Sequence, residues 1–149
     1  MIHPFDDAYF MRQALLEAER ALEEGEVPVG ALVVAEDKII GRGYNQTERL
    51  NDATAHAEMI AMTSAANYLG SKYLVDCTLY VTLEPCTMCA GASYWTQMGK
   101  IVYGAKDEKR GFTVSGDGIV HPRTEITYGI LEKECIELLN IFFKNIRNK

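Results

Sequence analysis

The sequence predicts an α/β protein, a three-layer α/β/α sandwich around a mixed sheet of about five strands. Three observations carry that prediction. Segments with apolar residues at helical spacing alternate with short apolar runs rich in β-branched residues. One pair of such runs is joined by a tight polar turn, as in an antiparallel hairpin. The strands that follow are separated by helical segments, which implies parallel pairing through helical crossovers. The 149 residues make room for a single domain, 1–149, able to bury a real core without disulfide staples. No internal repeat, low-complexity run or linker marks a boundary.

Residues 6–24 read as a helix. Phe10, Ala14, Leu15, Ala18, Ala21 and Leu22 fall at helical spacing, Asp6 and Asp7 sit at its positive end, and Gly25 follows as a stop. The run VGALVVA at 29–35 reads as a strand, and Asp37-Lys38 turns the chain into a second strand at Ile39–Tyr44. Thr54 suits the N-cap of a helix reaching about Asn67, with Gly70 just beyond it. TLYVTL at 78–83 alternates and is β-branched, hence a strand. Pro85 fits the first turn of the next helix, which runs to about Met98. Ile101–Tyr103 reads as a short strand, 105–123 as a loop punctuated by Gly111, Gly116, Gly118 and Pro122, and Glu125–Thr127 as a last strand. Residues 130–147 close the chain as an amphipathic helix, with Ile130, Leu131, Ile136, Leu138, Leu139, Phe142 and Phe143 on its apolar stripe.

Composition narrows the function. With 48% hydrophobic and 24% charged residues the chain is not disordered. No apolar stretch approaches a membrane span, and the start MIHPFDDAYF lacks the basic flank and apolar run of a signal peptide. A cytoplasmic location is therefore expected, with the four cysteines reduced. Net charge is −6, but residues 1–60 hold 5 basic and 12 acidic residues, whereas 61–149 hold 10 and 9. That balance argues against non-specific coating of phosphates and leaves room for one nucleic-acid site on a local basic face.

The chemistry concentrates in His56-Ala57-Glu58 and Pro85-Cys86-Thr87-Met88-Cys89, each at the mouth of a predicted helix. Cys86 and Cys89 are three apart, share a helix face and sit where the dipole favours thiolate. One imidazole and two thiolates are three good zinc ligands, and a fourth, open position is the catalytic pattern. A zinc ion there would lower the pKa of a water toward neutrality. Glu58, two residues after His56, can bend back to the same site beyond the helix mouth and shuttle protons. A lone CxxC could equally be a redox pair or half of a structural site, but no second CxxC is present to close four ligands. Cys77 and Cys135 read as small buried hydrophobes. His3 and His121 have no partner pattern and are assigned no role.

H-x-E followed by P-C-x-x-C is the signature of zinc-dependent nucleobase deaminases. Beyond it, EGEVPVGA at 24–31, TAHAEMI at 54–60, LYVTLEPCTMCAGA at 79–92, Gly104-Ala105-Lys106-Asp107 and the C-terminal GILEKECIELLNIFF resemble bacterial tRNA-specific adenosine deaminases, over about residues 8–147. The resemblance implies a cytidine-deaminase-like fold, one zinc per chain, a homodimer, and hydrolytic deamination of the wobble adenosine in a tRNA anticodon stem-loop to inosine. By position it implies His56, Cys86 and Cys89 as zinc ligands and Glu58 as general acid/base. It also implies Asn45 as a residue holding the target nucleoside and Asp107 as an acidic residue near the substrate. Tyr94-Trp95 is instead reminiscent of guanine deaminases, another branch of the superfamily, and the alternative activity is deamination of a free base or nucleoside such as guanine or cytosine. Trp95 itself is expected in the core or a dimer interface rather than stacked on a base. Lys106, Lys109, Arg110, Arg123, Lys144, Arg147 and Lys149 are the basic residues available to face an RNA loop.

Overall fold

The computed structural model describes residues 4–116 and 118–148; His3 and Lys149 lie outside the described residues. Its elements are α1 (Asp7–Glu23), β1 (Gly30–Ala35), β2 (Lys38–Tyr44), α2 (Ala57–Leu69), β3 (Thr78–Leu83), α3 (Thr87–Thr96), β4 (Lys100–Ala105), β5 (Glu125–Tyr128) and α4 (Glu132–Arg147), with a 3-10 turn at Phe112–Val114. The five strands lie in the order β2-β1-β3-β4-β5. β1 is antiparallel to both its neighbours, while β3, β4 and β5 run parallel.

Alternation along each strand divides the core into two layers. Ala31, Val33, Leu79, Val81, Ile101 and Tyr103 face Ala57, Ala61, Met62 and Ala65 of α2 and Ala90 of α3. Their neighbours Leu32, Val34, Tyr80 and Val102 face Phe10, Met11, Ala14 and Leu15 of α1 and Cys135 of α4. Burial on both faces explains why the central strands read as almost unbroken apolar runs. Cys77 and Cys135 are buried, as small hydrophobes should be.

α2 lies very close to β2, and two glycines make room for it. A Cβ on Gly43 would lie 2.4 Å from the Ala57 carbonyl oxygen, and one on Gly41 would lie 2.3 Å from that of Ala61. Both obstacles are helix backbone, which cannot swing aside. Gly43→Ala should therefore push the N-terminal turn of α2 off the sheet and lower stability by about 1–3 kcal/mol, the usual cost of overpacking. Thermal melts of the variant beside the parent check this, and an unchanged Tm would show that the helix has slack to move.

Several boundaries differ from the sequence expectation, each for a local reason. The hairpin turn is Glu36-Asp37, not Asp37-Lys38: both residues have positive φ, 51° and 61°, as a two-residue turn matching strand twist requires. Lys38 instead pairs with Ala35 in the ladder. Thr54 does not cap α2. Its N–H and hydroxyl both donate to Asp52 Oδ1 at 2.8 Å, forming a separate turn, and His56 occupies the N-cap position. Pro85 precedes α3 rather than entering its first turn, and Cys86 is the N-cap. β4 extends to Ala105 because β3 still pairs with it there, Leu83 opposite Ala105.

The topology brings four chain segments to one end of the sheet. The C-terminal ends of β2, β3 and β4 and the N-terminal end of β1 all point there. In open α/β folds ligands collect at the carboxyl ends of parallel strands.

Candidate metal centre and substrate cleft

His56, in extended conformation with φ −77° and ψ 152°, projects from the mouth of α2. Cys86, with φ −72° and ψ 173°, does the same at the mouth of α3, and Cys89 lies one turn in, fully buried. The two mouths meet: His56 Nδ1 is 3.6 Å from Cys86 Sγ and 3.5 Å from Cys89 Sγ. The three ligand atoms all lie within 4.8 Å of one another. Zinc–sulfur and zinc–nitrogen bonds of about 2.3 and 2.0–2.1 Å at a tetrahedral angle separate the two donors by about 3.5 Å. The donor set and its spacing therefore fit zinc.

A hydrogen bond from Cys89, aided by His56, holds the Cys86 thiol down to about 4, against the desolvation that opposes it. Cys89, as the donor in that contact and buried besides, is pushed up. The hydrogen bond to Cys86 in turn raises His56. Cys86 is thus already thiolate at neutral pH, the form a metal needs.

Glu58 stands in the first turn of α2, 4% exposed. Burial pushes its carboxyl up to about 7, with the negative Cys86 adding to the rise. A carboxyl of that strength can both take and give a proton at neutral pH.

These groups open into a cleft of about 940 Å³ at the end of the sheet. His56, Glu58 and Cys86 form its floor, and both other sequence-predicted residues, Asn45 and Asp107, line its walls. Asn45 follows β2 and is 8% exposed. Its Nδ2 donates to the Val27 carbonyl at 3.3 Å, while its Oδ1 is buried with no partner among the described residues. A buried acceptor without a donor is costly and commonly marks a ligand-facing group. Asp107 is half-buried, and its Oδ1 accepts from the backbone N–H groups of Lys109 and Arg110 at 3.1 and 3.0 Å. It therefore shapes the basic turn beside it.

Lys106, Lys109 and Arg110 line the cleft, as do Ile136, Leu139 and Phe143 of α4. Arg123 does not join them: its Nη2 donates to Gln97 Oε1 at 3.1 Å, past the C-terminal end of α3. Trp95 is 78% exposed, so of the two placements expected for it, the core or a dimer interface, the core is excluded. It lies on a separate groove with Lys72, Tyr73, Tyr94, Gln97 and His121, where the Tyr94 ring is 5.3 Å from that of His121. Among the described residues, no element packs over the indole at this end of α3.

Two buried carboxylates that frame the cleft were given no role by the sequence. Glu26, 1% exposed, accepts from the N–H groups of Glu48 and Arg49 at 3.1 and 2.8 Å and so holds the turn after Asn45. Glu84, 3% exposed, holds the turn carrying Asp107. Both stand within motifs, EGEVPVGA and LEPCTMC. The available signal was a charged residue beside an apolar strand, which does not by itself tell a clamp from a surface charge.

Comparison with known proteins agrees with this geometry. The profile of the cytidine and deoxycytidylate deaminase zinc-binding region matches residues 5–105. The tRNA-specific adenosine deaminase of Aquifex aeolicus (strain VF5) is 46% identical over 145 residues, covering 94% of this chain and 95% of that protein. A solved structure from a study of A-to-I editing by tRNA:A34 deaminases at the wobble position of transfer RNA superposes with a TM-score of 0.82 at 41% identity, covering 88% of this chain and 99% of that one. A guanine deaminase structure from Bacillus subtilis superposes less well, with a TM-score of 0.65 at 36% identity over 78% of this chain and 71% of that one.

Proposed function

The chain belongs to the cytidine and deoxycytidylate deaminase family, and from that premise we propose that it hydrolytically deaminates the wobble adenosine of a tRNA anticodon loop to inosine, releasing ammonia. The observation that carries this reading is the meeting of His56, Cys86 and Cys89 beside a buried Glu58 on the floor of one cleft. The near full-length likeness to tRNA-specific adenosine deaminases supplies the substrate class.

His56, Cys86 and Cys89 hold one zinc ion, which when bound brings a water to hydroxide-like reactivity at neutral pH. Glu58 takes the proton that leaves the attacking water and returns it to the departing amine. Asn45 anchors the target nucleoside: with Nδ2 tied to Val27, Oδ1 is left to accept from the ligand. An adenine inside a helical stack cannot reach a floor this deep, so the substrate is a splayed loop nucleotide. Asp107 holds the turn that presents Lys109 and Arg110 to the flanking phosphates. A cytoplasmic homodimer completes the reading. Support for the second subunit comes from the family resemblance and from the exposed ring of Trp95.

The test is inosine formation on an anticodon stem-loop, run across a salt series beside free guanine and cytosine. Phe143 lines the cleft from α4, and Lys144 and Arg147 follow it in the last turn. Lys144→Ala/Arg147→Ala should weaken stem-loop binding and flatten its log–log salt slope by about 0.7 for each phosphate no longer neutralised, with zinc content unchanged. Robust turnover of a free base, with no inosine in the stem-loop at any salt, would replace this reading with the small-molecule one.

A further inference from the structure

Glu84 lies two residues before Cys86, and its carboxylate spans two parts of the loop that follows β4. Oε1 accepts from the Asp107 N–H at 3.1 Å. Oε2 accepts from the Thr113 N–H at 3.0 Å and the Thr113 hydroxyl at 2.6 Å. Backbone bonds lace the same two segments together: Glu84 N–H to Ala105 O at 2.8 Å, and Phe112 N–H to Pro85 O at 2.9 Å. Cys86 and Gly111 form an isolated antiparallel bridge between them.

The side chain is 3% exposed, and among the described residues no lysine or arginine pairs with it. A buried carboxylate without a cation is expensive, so a neutral residue would serve better if packing were all that was needed here. What the position requires is an acceptor-only group, because all three of its partners are donors. A carboxylate meets three donors with two oxygens, whereas an amide must turn its NH₂ toward one of the N–H groups. Gly111 fits the same picture. A Cβ there would lie 2.3 Å from both Cδ and Oε2 of Glu84 and 2.5 Å from the Asp107 carbonyl oxygen, so any side chain would displace the carboxylate and the turn it holds.

The loop so held carries Lys106, Asp107, Lys109 and Arg110, the polar wall of the cleft. Resting on the deaminase reading above, we propose that Glu84 is a positioning residue for RNA recognition: with Gly111 it fixes the 105–113 loop in register with the metal-ligand segment Pro85-Cys86. The metal floor and the phosphate-binding wall are thereby set at one distance, so that a nucleotide held by the loop arrives with its base over Glu58.

The experiment compares steady-state kinetics on an anticodon stem-loop for the zinc-loaded parent and the zinc-loaded variants Glu84→Gln, Gly111→Ala, their combination, and Thr113→Ala. Loss of hydrogen bonds to a charged group corresponds to about a tenfold or larger effect. KM for the stem-loop should rise by about that factor in Glu84→Gln and in Gly111→Ala, with kcat within about twofold and one zinc per chain retained. The double variant should fall well short of the product of the two single effects, since both disturb the same carboxylate. Thr113→Ala removes only the hydroxyl donor and should show a smaller rise in KM. It decides the matter if Glu84→Gln does not fold. An unchanged KM in these variants, or losses confined to zinc content or kcat, would overturn the assignment. A parent enzyme that makes no inosine at all would instead count against the function on which it rests.

Discussion

Purified Cys86→Ala should contain no zinc and make no inosine, while keeping its fold. The site has three protein ligands, whose donor atoms lie within 4.8 Å of one another. Removing one leaves His56 and Cys89, too few to hold a catalytic zinc. The substitution also removes the thiol of the pair that loses its proton more readily, and leaves Cys89, whose burial still holds its own thiol up. A neutral thiol is a poor ligand. The fold should survive, because Cys86 is only partly buried and α3 is anchored through Cys89 and Ala90 rather than through its cap. Metal analysis, a thermal melt and the stem-loop assay together read the result. Full metal occupancy in the variant would remove Cys86 from the site.

Glu58→Ala should separate metal binding from chemistry. The carboxylate is in the first turn of α2 and two residues from His56, but its expected role is to carry protons, not to ligate. Zinc should therefore stay at one per chain while turnover falls by about 10²–10⁴-fold, the usual contribution of general acid–base catalysis. Glu58→Gln, of nearly the same volume, guards against a cavity as the cause and should be impaired to a similar degree, because an amide cannot take the proton. Near-normal turnover in either metal-loaded variant would exclude Glu58 from the mechanism.

Much of this was legible in the chain itself, and for identifiable reasons. Strand Thr78–Leu83 lies where the TLYVTL run placed it, because both its faces are buried and such a strand is written in β-branched and apolar residues. The helix cap at Gly70 was readable because its φ of 63° is one that glycine adopts without cost. The ligands were readable because zinc demands particular side chains, and H-x-E with P-C-x-x-C states those side chains in linear order.

What the chain could not state is how those two motifs meet. His56 and Cys86 are 30 residues apart, and their contact at 3.6 Å exists because α2 and α3 cover the same face of the sheet with both N-termini at one end. Sequence alone leaves Trp95 between the core and a dimer interface for a related reason: hydrophobicity says that a side chain prefers burial, but only the packing of the other elements says whether the chain itself covers it, and in this chain it stands 78% exposed. Thr54 lost the N-cap position to His56 because Asp52 took both of its donors, a competition between equal local preferences that local sequence does not rank. Glu26 and Glu84 show the limit most clearly. Sequence determined the residues able to bind zinc and move protons, since those are properties of single side chains. Tertiary structure alone decided that two further carboxylates would be buried among loop N–H groups 22 to 29 residues away, because a clamp is defined by its partners and not by its own chemistry.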